Sequence, residues 1–548
     1  MVQDLFRISI IVFFFLLAIC PYAFASNVSS IILPHHLLAE PLIRDTLSYA
    51  AKGVSPEIIV LFGPDHFKAG SIYGNRFIGL DVENDGLISK PVLIVNNSAA
   101  VLKDHSISNL LPLIKEYFPN SKVVPYIIPS SITSDQADEM ILRLKAQYPE
   151  NTLVVASVDF SHYLEDRIAR FHDIKSIRTI IDNEKSGFPH LEVDCWQALY
   201  IARNYAYVRG KEKTVVIGHK TSQDYNKGKL NAQDITSYFA AIFEAGKTTD
   251  NVRYHTLLFL GDMMLDRGVE DLMSRKGVYY PILKIRAFLK GIDIVCTNLE
   301  GPIVSNPKEF ARNSLMFSFN KNVIKMIQYA GINMVTLANN HTLNMGQAGL
   351  GETRKILKLN NIAAMGDPIS FDKKYSYSAD GISYLGFNLI SDDGSKAIKT
   401  IKVMREEKPN NFMIVNLHWG QEYKYLAQSK KQQELAKKMI DAGADLIIGH
   451  HPHVVQGISQ YKGKLIFYSL GNFIFDQYFS RETQESLAVG LELSQNELIF
   501  HLFPLSGTYS QPKVMDEKPA DQMLLKLAKA SSPELSRQIL SGKITIKR

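Results

Sequence analysis

Cysteine is nearly absent from this chain: there are three among 548 residues. Cys20 sits in an N-terminal apolar run, and Cys195 and Cys296 lie far apart. That excludes a disulfide framework and a CxxC metal knuckle. A dominant charge of one sign is also missing. The net charge is +6, and the basic residues are scattered rather than striped, which argues against nucleic acid as a partner. Past the N-terminus no apolar run is long enough to span a bilayer. There is no low-complexity segment and no repeat at solenoid periods. What remains is an ordinary globular composition, 46% hydrophobic and 21% charged. At roughly 150 residues per domain, the length allows two or more domains.

The N-terminus reads as a targeting segment. Arg7 precedes the apolar run Ile8–Ile19, Pro21 breaks it, and Ala23-Phe24-Ala25 is an A-x-A cleavage pattern. Residues 1–25 are therefore read as a signal peptide, and the product as exported to the periplasm or cell envelope. An uncleaved segment would be the only membrane anchor. Ile19 stands where a lipidation box wants a small residue, which disfavours a lipoprotein.

From residue 27 to 245, short apolar runs alternate with helical periods, the pattern of an α/β domain. Several runs end in ligand-capable residues. Ile31-Ile32-Leu33 leads to Pro34-His35-His36, and Ile58–Phe62 to Gly63-Pro64-Asp65-His66. Leu153–Ala156 leads to Ser157-Val158-Asp159-Phe160-Ser161-His162, and Val215–Ile217 to Gly218-His219-Lys220. In an open α/β sheet such positions converge beyond the carboxyl ends of the strands. His105 opens an amphipathic helical stretch, and Cys195 precedes another.

GPDHF, DHSISNLLPLI, SVDFSHY and the stretch ending TSYFAAIF resemble the Memo family, also called AmmeMemoRadiSam system protein B. The resemblance covers roughly residues 30 to 245. It implies a fold similar to the class III extradiol dioxygenases, with a pocket of His and Cys that holds a single metal. Carried over by position, His35, His66 and Cys195 are its metal-pocket residues, and His105, Asp159 and His162 line the same cleft. The chain departs from the family at Pro34-His35-His36-Leu37-Leu38, where P-H-A-G-Y is usual, and at Cys195-Trp196, where Cys-Gly is usual.

Residues 246–253 form a polar break, read as a linker. Beyond it, from 254 to 507, six apolar runs again end in chemistry-bearing residues. Thr256–Leu260 leads to Gly261-Asp262, and Ile292–Cys296 to Asn298-Leu299-Glu300. Asn333–Leu337 leads to Asn339-Asn340-His341, and Phe412–Val415 to His418. Leu446-Ile447-Ile448 leads to His450, His451 and His453, and Leu465–Tyr468 to Asn472. Taken alone, any one of these reads better as a helix cap, a turn former or a core histidine. Six in series at one sheet edge read as a site. Carboxylate, imidazole and amide oxygen are the donors that two adjacent divalent ions need.

LGDMML, NLEGPI, LANNHTLNMG, LHWGQEY, IIGHHPHVVQG and YSLGNFIFD resemble the CapA family, the poly-gamma-glutamate capsule biosynthesis proteins of the calcineurin-like metallophosphatase superfamily. The resemblance implies a metal-dependent hydrolase or transferase on an envelope polymer or its phosphorylated precursor. It also implies divalent Mn, Zn or Fe, two ions in this domain. By position, Asp262, Glu300, Asn339, His418, His451 and His453 are its metal ligands. Asn340 and His341 form the catalytic Asn-His pair, with His341 as general acid or phosphate contact, while Asn298 and Asn472 support the ligands. The superfamily's D-x-H motif is absent, since Met263-Met264 follow Asp262.

Residues 508–548 read as a helical tail. The expectation is thus a two-domain α/β protein: a Memo/extradiol-dioxygenase-like domain, then a calcineurin-like metallophosphatase α/β sandwich. Two other functions fit the same residues. One is a non-catalytic envelope assembly or binding factor. The other is a redox metal protein centred on the Memo-like pocket.

Overall fold

Runs of β-branched and aromatic residues set the strands. The computed structural model describes residues 27–548 apart from 74–75, 80–93, 227–233, 249–254 and 312–313. The segment read as a signal peptide, 1–25, and part of the 246–253 linker lie outside the described residues. Among the described residues no helix is long and apolar enough to cross a membrane. The chain divides into two units. One takes the chain up to Tyr163 and again from Thr179 to Asp250; the other takes Leu164–Arg178 and everything from Asn251.

The first unit is built on β1 (Val28–Leu33), β2 (Ile58–Pro64), β3 (Phe77–Gly79), β4 (Ile94–Asn96), β5 (Lys122–Ile128), β6 (Leu153–Ser157), β7 (His162–Leu164), β8 (Lys213–Thr221) and β9 (Ile235–Glu244). The sheet order is β4-β3-β5-β2-β6-β1-β9-β7, with β8 on β9. Its centre, β5-β2-β6-β1, is parallel. β1 and β6 are buried along their whole length, and β2 almost so, as a sheet covered on both faces requires. Helix Glu40–Gly53 buries Leu42, Ile43, Leu47 and Ala50, and helix Trp196–Val208 is buried over most of its length. A capping box of Thr133 and Gln136 starts helix Ser134–Gln147. His219 was expected at a strand end. It lies inside β8 instead, opposite Phe239.

The second unit has β10 (His255–Met263), β11 (Ile294–Leu299), the small pair β12 (Ile303–Val304) and β13 (Phe319–Asn320), then β14 (Met334–Thr336), β15 (Ala363–Met365), β16 (Tyr377–Ala379), β17 (Ile382–Asn388), β18 (Phe412–His418), β19 (Leu446–His450), β20 (Ile458–Tyr461), β21 (Lys464–Phe467), β22 (Asn472–Ile474), β23 (Glu485–Leu493), β24 (Glu497–Ser506), β25 (Lys513–Val514) and β26 (Lys543–Lys547). Two sheets form. One runs β15-β14-β11-β10-β23-β24-β25, with β22 on β10 and β26 on β24; the other runs β16-β17-β18-β19-β21-β20. Leu257, Phe259, Cys296 and Met334 of the first pack in one core with Tyr384, Ile414, Ile448 and Phe467 of the second. Helices Ser395–Glu407 and Lys430–Asp441 cover the far face of the second sheet. The sandwich is therefore α/β, with helix outside and sheet on sheet within.

The helical-tail reading of 508–548 needs correction. Helices Glu517–Ala530 and Ser536–Leu540 form, but the chain ends in β26, antiparallel to β24. Ile544 and Ile546 are buried while Lys543, Thr545 and Lys547 are exposed. That is a period-2 strand pattern, which the basic residues around it obscure. The last forty residues are part of the sandwich, since Leu524, Leu527 and Ile539 belong to its core.

Candidate metal centre

The carboxyl ends of β10, β11, β14, β18 and β19 deliver the side chains of the second unit's site. Two close backbone approaches make this possible. A Cβ on Gly261 would lie 2.0 Å from the Gly471 carbonyl oxygen, and one on Gly449 would lie 1.9 Å from that of Tyr468. Only glycine fits. After β19 the chain turns sharply, and His451 and His453 both adopt positive φ, 95° and 58°. Left-handed backbone at non-glycine residues costs roughly 1–3 kcal/mol each and persists where the surroundings impose it.

Asp262 is fully buried at the centre. Its Oδ1 accepts from Asn298 Nδ2 at 2.9 Å and lies 3.1 Å from His450 Nδ1. Its Oδ2 accepts from the His451 amide at 3.2 Å and lies 3.4 Å from His453 Nδ1. Glu300, also fully buried, brings Oε1 within 3.7 Å of His453 Nε2 and 3.9 Å of His341 Nε2. His418 Nε2 lies 2.7 Å from Asn340 Oδ1, and its Nδ1 3.4 Å from Asn298 Nδ2. His453 Nδ1 lies 3.0 Å from Asn472 Oδ1, whose amide is pinned to the Thr483 carbonyl.

Two groups of donors have metal-ligand spacing: Asp262, Glu300 and His418, and Glu422, His451 and His453, each within 4.8 Å. Buried Glu300 Oε1 and His451 Nδ1 have no hydrogen-bond partner. Buried polar atoms are almost always paired. Two buried carboxylates ringed by imidazoles with such orphaned atoms fit divalent cations, which would satisfy both charge and coordination.

The electrostatics agree. Burial and the Asp262 charge push the Glu300 carboxyl up to about 8. Burial works to raise Asp262 too, but hydrogen bonds from His450 and His453 outweigh it and hold it well below the usual range. Burial pulls His453 down, yet the Glu300 and Asp262 carboxylates outweigh it and lift it to about 9. Burial lowers His418 well below its ordinary value, and burial with neighbouring His453 takes His451 to about 4. The cation-free site thus holds its protons on Glu300 and His453, where a metal would otherwise supply the positive charge.

One sequence assignment fails here. Asn339 was expected as a metal ligand. Its Oδ1 already accepts from the amides of His341 and Thr342 and the Thr342 hydroxyl, at 3.0, 2.9 and 2.8 Å. Its Nδ2 donates to Asn298 Oδ1 and the Leu299 carbonyl. It is a saturated brace for the turn. Its neighbour Asn340 turns Oδ1 to His418 instead. Glu422 was missed, although it stands inside the LHWGQEY stretch, because no apolar run ends at it.

The first unit gathers a second cluster beyond β1, β2 and β6. The rings of His35, His66 and His105 lie 3.9 to 5.3 Å apart, centre to centre. His35 Nε2 lies 3.5 Å from Asp159 Oδ2. His162 is mostly buried nearby; burial lowers its pKa and Asp159 acts against that. Cys195 is a correction. Its Sγ contacts Gln197 Oε1 at 3.8 Å rather than joining the cluster, and burial pushes the thiol up. The adjacent Asp194, which the sequence did not single out, reaches His35 Nε2 at 3.4 Å.

Comparison with known proteins assigns both units. Residues 256–379 and 367–477 match the family described as bacterial capsule synthesis protein PGA_cap, and residues 21–226 match Memo-like protein. The capsule biosynthesis protein CapA of Bacillus anthracis is 34% identical over 284 residues, 47% of this chain and 69% of that protein. The PGA biosynthesis protein CapA of Bacillus subtilis is 31% identical over 309 residues, 52% of this chain and 80% of that protein. A MEMO1 family protein of Caldivirga maquilingensis is 25% identical over 223 residues, 36% of this chain and 77% of that protein.

Proposed function

This chain belongs to the family of bacterial capsule synthesis proteins that includes the CapA proteins, with a Memo-like region joined ahead of it, and on that premise we propose that its second unit is a metal-dependent hydrolase or transferase of the metallophosphatase type. Its substrate is a poly-glutamate-type envelope polymer or the phosphorylated precursor of one. The reading rests most on one observation: Asp262, Glu300 and His418 are buried together at metal-ligand spacing, with buried His451 and His453 and exposed Glu422 at the same spacing in a second group. The A-x-A pattern at Ala23-Phe24-Ala25 supports an exported, envelope-side location.

Asp262, Glu300 and His418 would hold one divalent cation, with Asn340 Oδ1 beside His418. Glu422, His451 and His453 would hold another. Mn, Zn and Fe suit these oxygen and nitrogen donors. When bound, such ions supply Lewis acidity toward a phosphoryl or acyl oxygen and activate water. The protein's own proton carrier is His341. Its Nδ1 faces Asn344 Oδ1 at 3.3 Å, and its Nε2 faces Asn340 Nδ2 at 3.1 Å. An amide oxygen accepts and an amide N–H donates, so Nδ1 carries the proton and Nε2 the lone pair. Burial takes the ring to about 4, so it is neutral at pH 7. His341 therefore enters as an acceptor at Nε2 and passes the proton on to the leaving group. Phe317 packs on its ring at 4.4 Å and limits water on that side. Arg267, ion-paired with Asp476 and lying over Phe317, places a fixed cation near the site for an anionic substrate.

The test is turnover of phosphoesters and γ-glutamyl amides by the purified chain, with and without Mn or Zn. His341→Ala should retain metal and lose roughly 100- to 10,000-fold in rate. If neither substrate class turns over with metal bound, and His341→Ala still supports polymer assembly in cells, the unit is a scaffold and the enzyme reading falls.

A further inference from the structure

Beside the metal centre of the second unit, across two aromatic rings, lies a cavity of about 420 Å³. Its walls come from the segment 478–485 and from residues near β25, among them Lys513 and Asp516. Tyr423 packs on His453 at 6.0 Å, centre to centre, and Phe479 meets Tyr423 edge-on at 5.3 Å. Phe479 itself lines the cavity. Both rings are open to solvent, Tyr423 at 45% and Phe479 at 67% exposure. Exposed rings between a metal centre and a cavity form an apolar bridge on which a chain can lie.

Hydrogen bonds tie this wall to the site. Asp476 pairs with Arg267 and accepts from the Gly268 amide at 3.0 Å. Gln477 Nε2 donates to the Tyr423 hydroxyl at 3.2 Å, and its Oε1 accepts from Asn472 Nδ2 at 3.1 Å. Asn472 is the residue whose Oδ1 meets His453. Further along, the Thr483 hydroxyl donates to the Gln477 carbonyl at 2.6 Å. Gln484 Nε2 donates to the carbonyls of Tyr478 and Ser480 at 3.2 and 2.9 Å. The cavity rim and the histidines of the site thus belong to one network, and a ligand there finds its wall already ordered.

Two cations line the cavity. Arg481 uses only Nε, which donates to the almost wholly buried Glu485 carboxylate. Among the described residues neither Arg481 Nη group has a partner. Glu485 therefore orients the guanidinium and leaves its fork free. Lys513 pairs with Asp516 at 3.1 Å, with side chains 45% and 59% exposed. A pair so open to water is weak, and its ammonium can turn to an incoming anion. A free guanidinium fork beside an ammonium matches a carboxylate or a phosphate group.

We propose that this cavity is a second anion subsite of the metal centre, which takes a carboxylate or phosphate of the same substrate and so selects a chain of recurring anionic groups over its monomeric precursor. The proposal rests on the reading of the metal centre as the place where that chain reacts. One anionic group lies at the metal centre near Arg267, and another lies at Arg481 and Lys513. The rings of Tyr423 and Phe479 stand between the two positions, so a small monoanion fills only one of them.

Fluorescence anisotropy on the full-length protein loaded with Mn(II) tests this, with a labelled γ-glutamyl oligomer and a labelled polyphosphate chain as probes. Wild type should bind at least one of them, and the tighter probe identifies the anion. The γ-glutamyl dimer and pyrophosphate should compete poorly. Arg481→Gln combined with Lys513→Gln should weaken binding by about 10-fold or more while Mn(II) stoichiometry stays that of wild type. Lys513→Glu, at an exposed residue, should weaken it too, and covers the case in which loss of Arg481 leaves Glu485 buried alone and disturbs the fold. Anisotropy reads binding without turnover. A chain that binds in this pattern and is not cleaved supports the subsite and sinks only the enzyme reading. Binding of neither probe, equal affinity for dimer and oligomer, or wild-type affinity in either folded variant would overturn the subsite, even where the chain is cleaved.

Discussion

Acidifying the solution from pH 7 to pH 6 should loosen the second unit's grip on metal in a defined way. In the cation-free site Glu300 titrates at about 8 and His453 at about 9, so both hold protons at neutral pH. Asp262 lies well below the usual range, and His418 and His451 are lowered, so none of these three carries a proton to displace at pH 7. Each donor group therefore releases one proton when a cation enters: Glu300 from one, His453 from the other. One released proton makes affinity change about 10-fold per pH unit, or about 1.4 kcal/mol. The two sites together should lose roughly 100-fold, about 2.7 kcal/mol, between pH 7 and 6. Chelator competition with Mn(II) at pH 6, 7 and 8 measures this. His35→Ala is the suitable background, since it removes the first unit's contribution. An overall change under about 3-fold per pH unit would refute the charge balance argued for Glu300 and His453.

The same two groups set the stability of the cation-free protein. Glu300 holds its proton more tightly folded than unfolded, so its contribution is present at acid pH and lost as pH rises through about 8. The His453 contribution is whole below its unfolded value and lost as pH rises through about 9; its shift is worth about 3 kcal/mol. Thermal melts should therefore show falling stability from pH 6.5 to 9, restored by saturating Mn(II). A flat profile without metal would contradict this. Gly449→Ala puts a Cβ 1.9 Å from the Tyr468 carbonyl oxygen and 2.7 Å from Trp419 Nε1. It should cost about 1–3 kcal/mol in urea unfolding, and more than about 10-fold in metal affinity by displacing His450 to His453. Asn339→Ala should lower stability by about 2 kcal/mol through its lost buried hydrogen bonds. Asn340→Ala should leave the melting temperature in place and weaken metal binding. An exchange of these two phenotypes would reverse the roles assigned to the pair.

Much of the site was legible because each chemistry-bearing residue ended an apolar run. Asp262, Glu300, His418 and the histidines after β19 sit where parallel strands end, and such ends share an edge by construction. What sequence could not resolve was facing within a turn. Asn339 and Asn340 are neighbours, as are Asp194 and Cys195. In each pair, local backbone angles and the partners already engaged decide which one enters the site. Motif position alone picked the wrong member at Asn339 and at Cys195. Glu422 escaped for another reason: it lies beyond the end of β18, in a turn with left-handed Tyr423 and Leu426, where no periodicity points to it. β26 was hidden by its own lysines, although Ile544 and Ile546 alternate with them. The grouping of Leu164–Arg178 with the second unit depends on contacts distant in sequence, which a helical period does not encode.

Anomalous diffraction from crystals grown with Mn(II), recorded above and below the manganese edge, tests the central claim most directly. Two peaks are expected in the second unit, one among Asp262, Glu300 and His418 and one among Glu422, His451 and His453. An empty difference map there would contradict it.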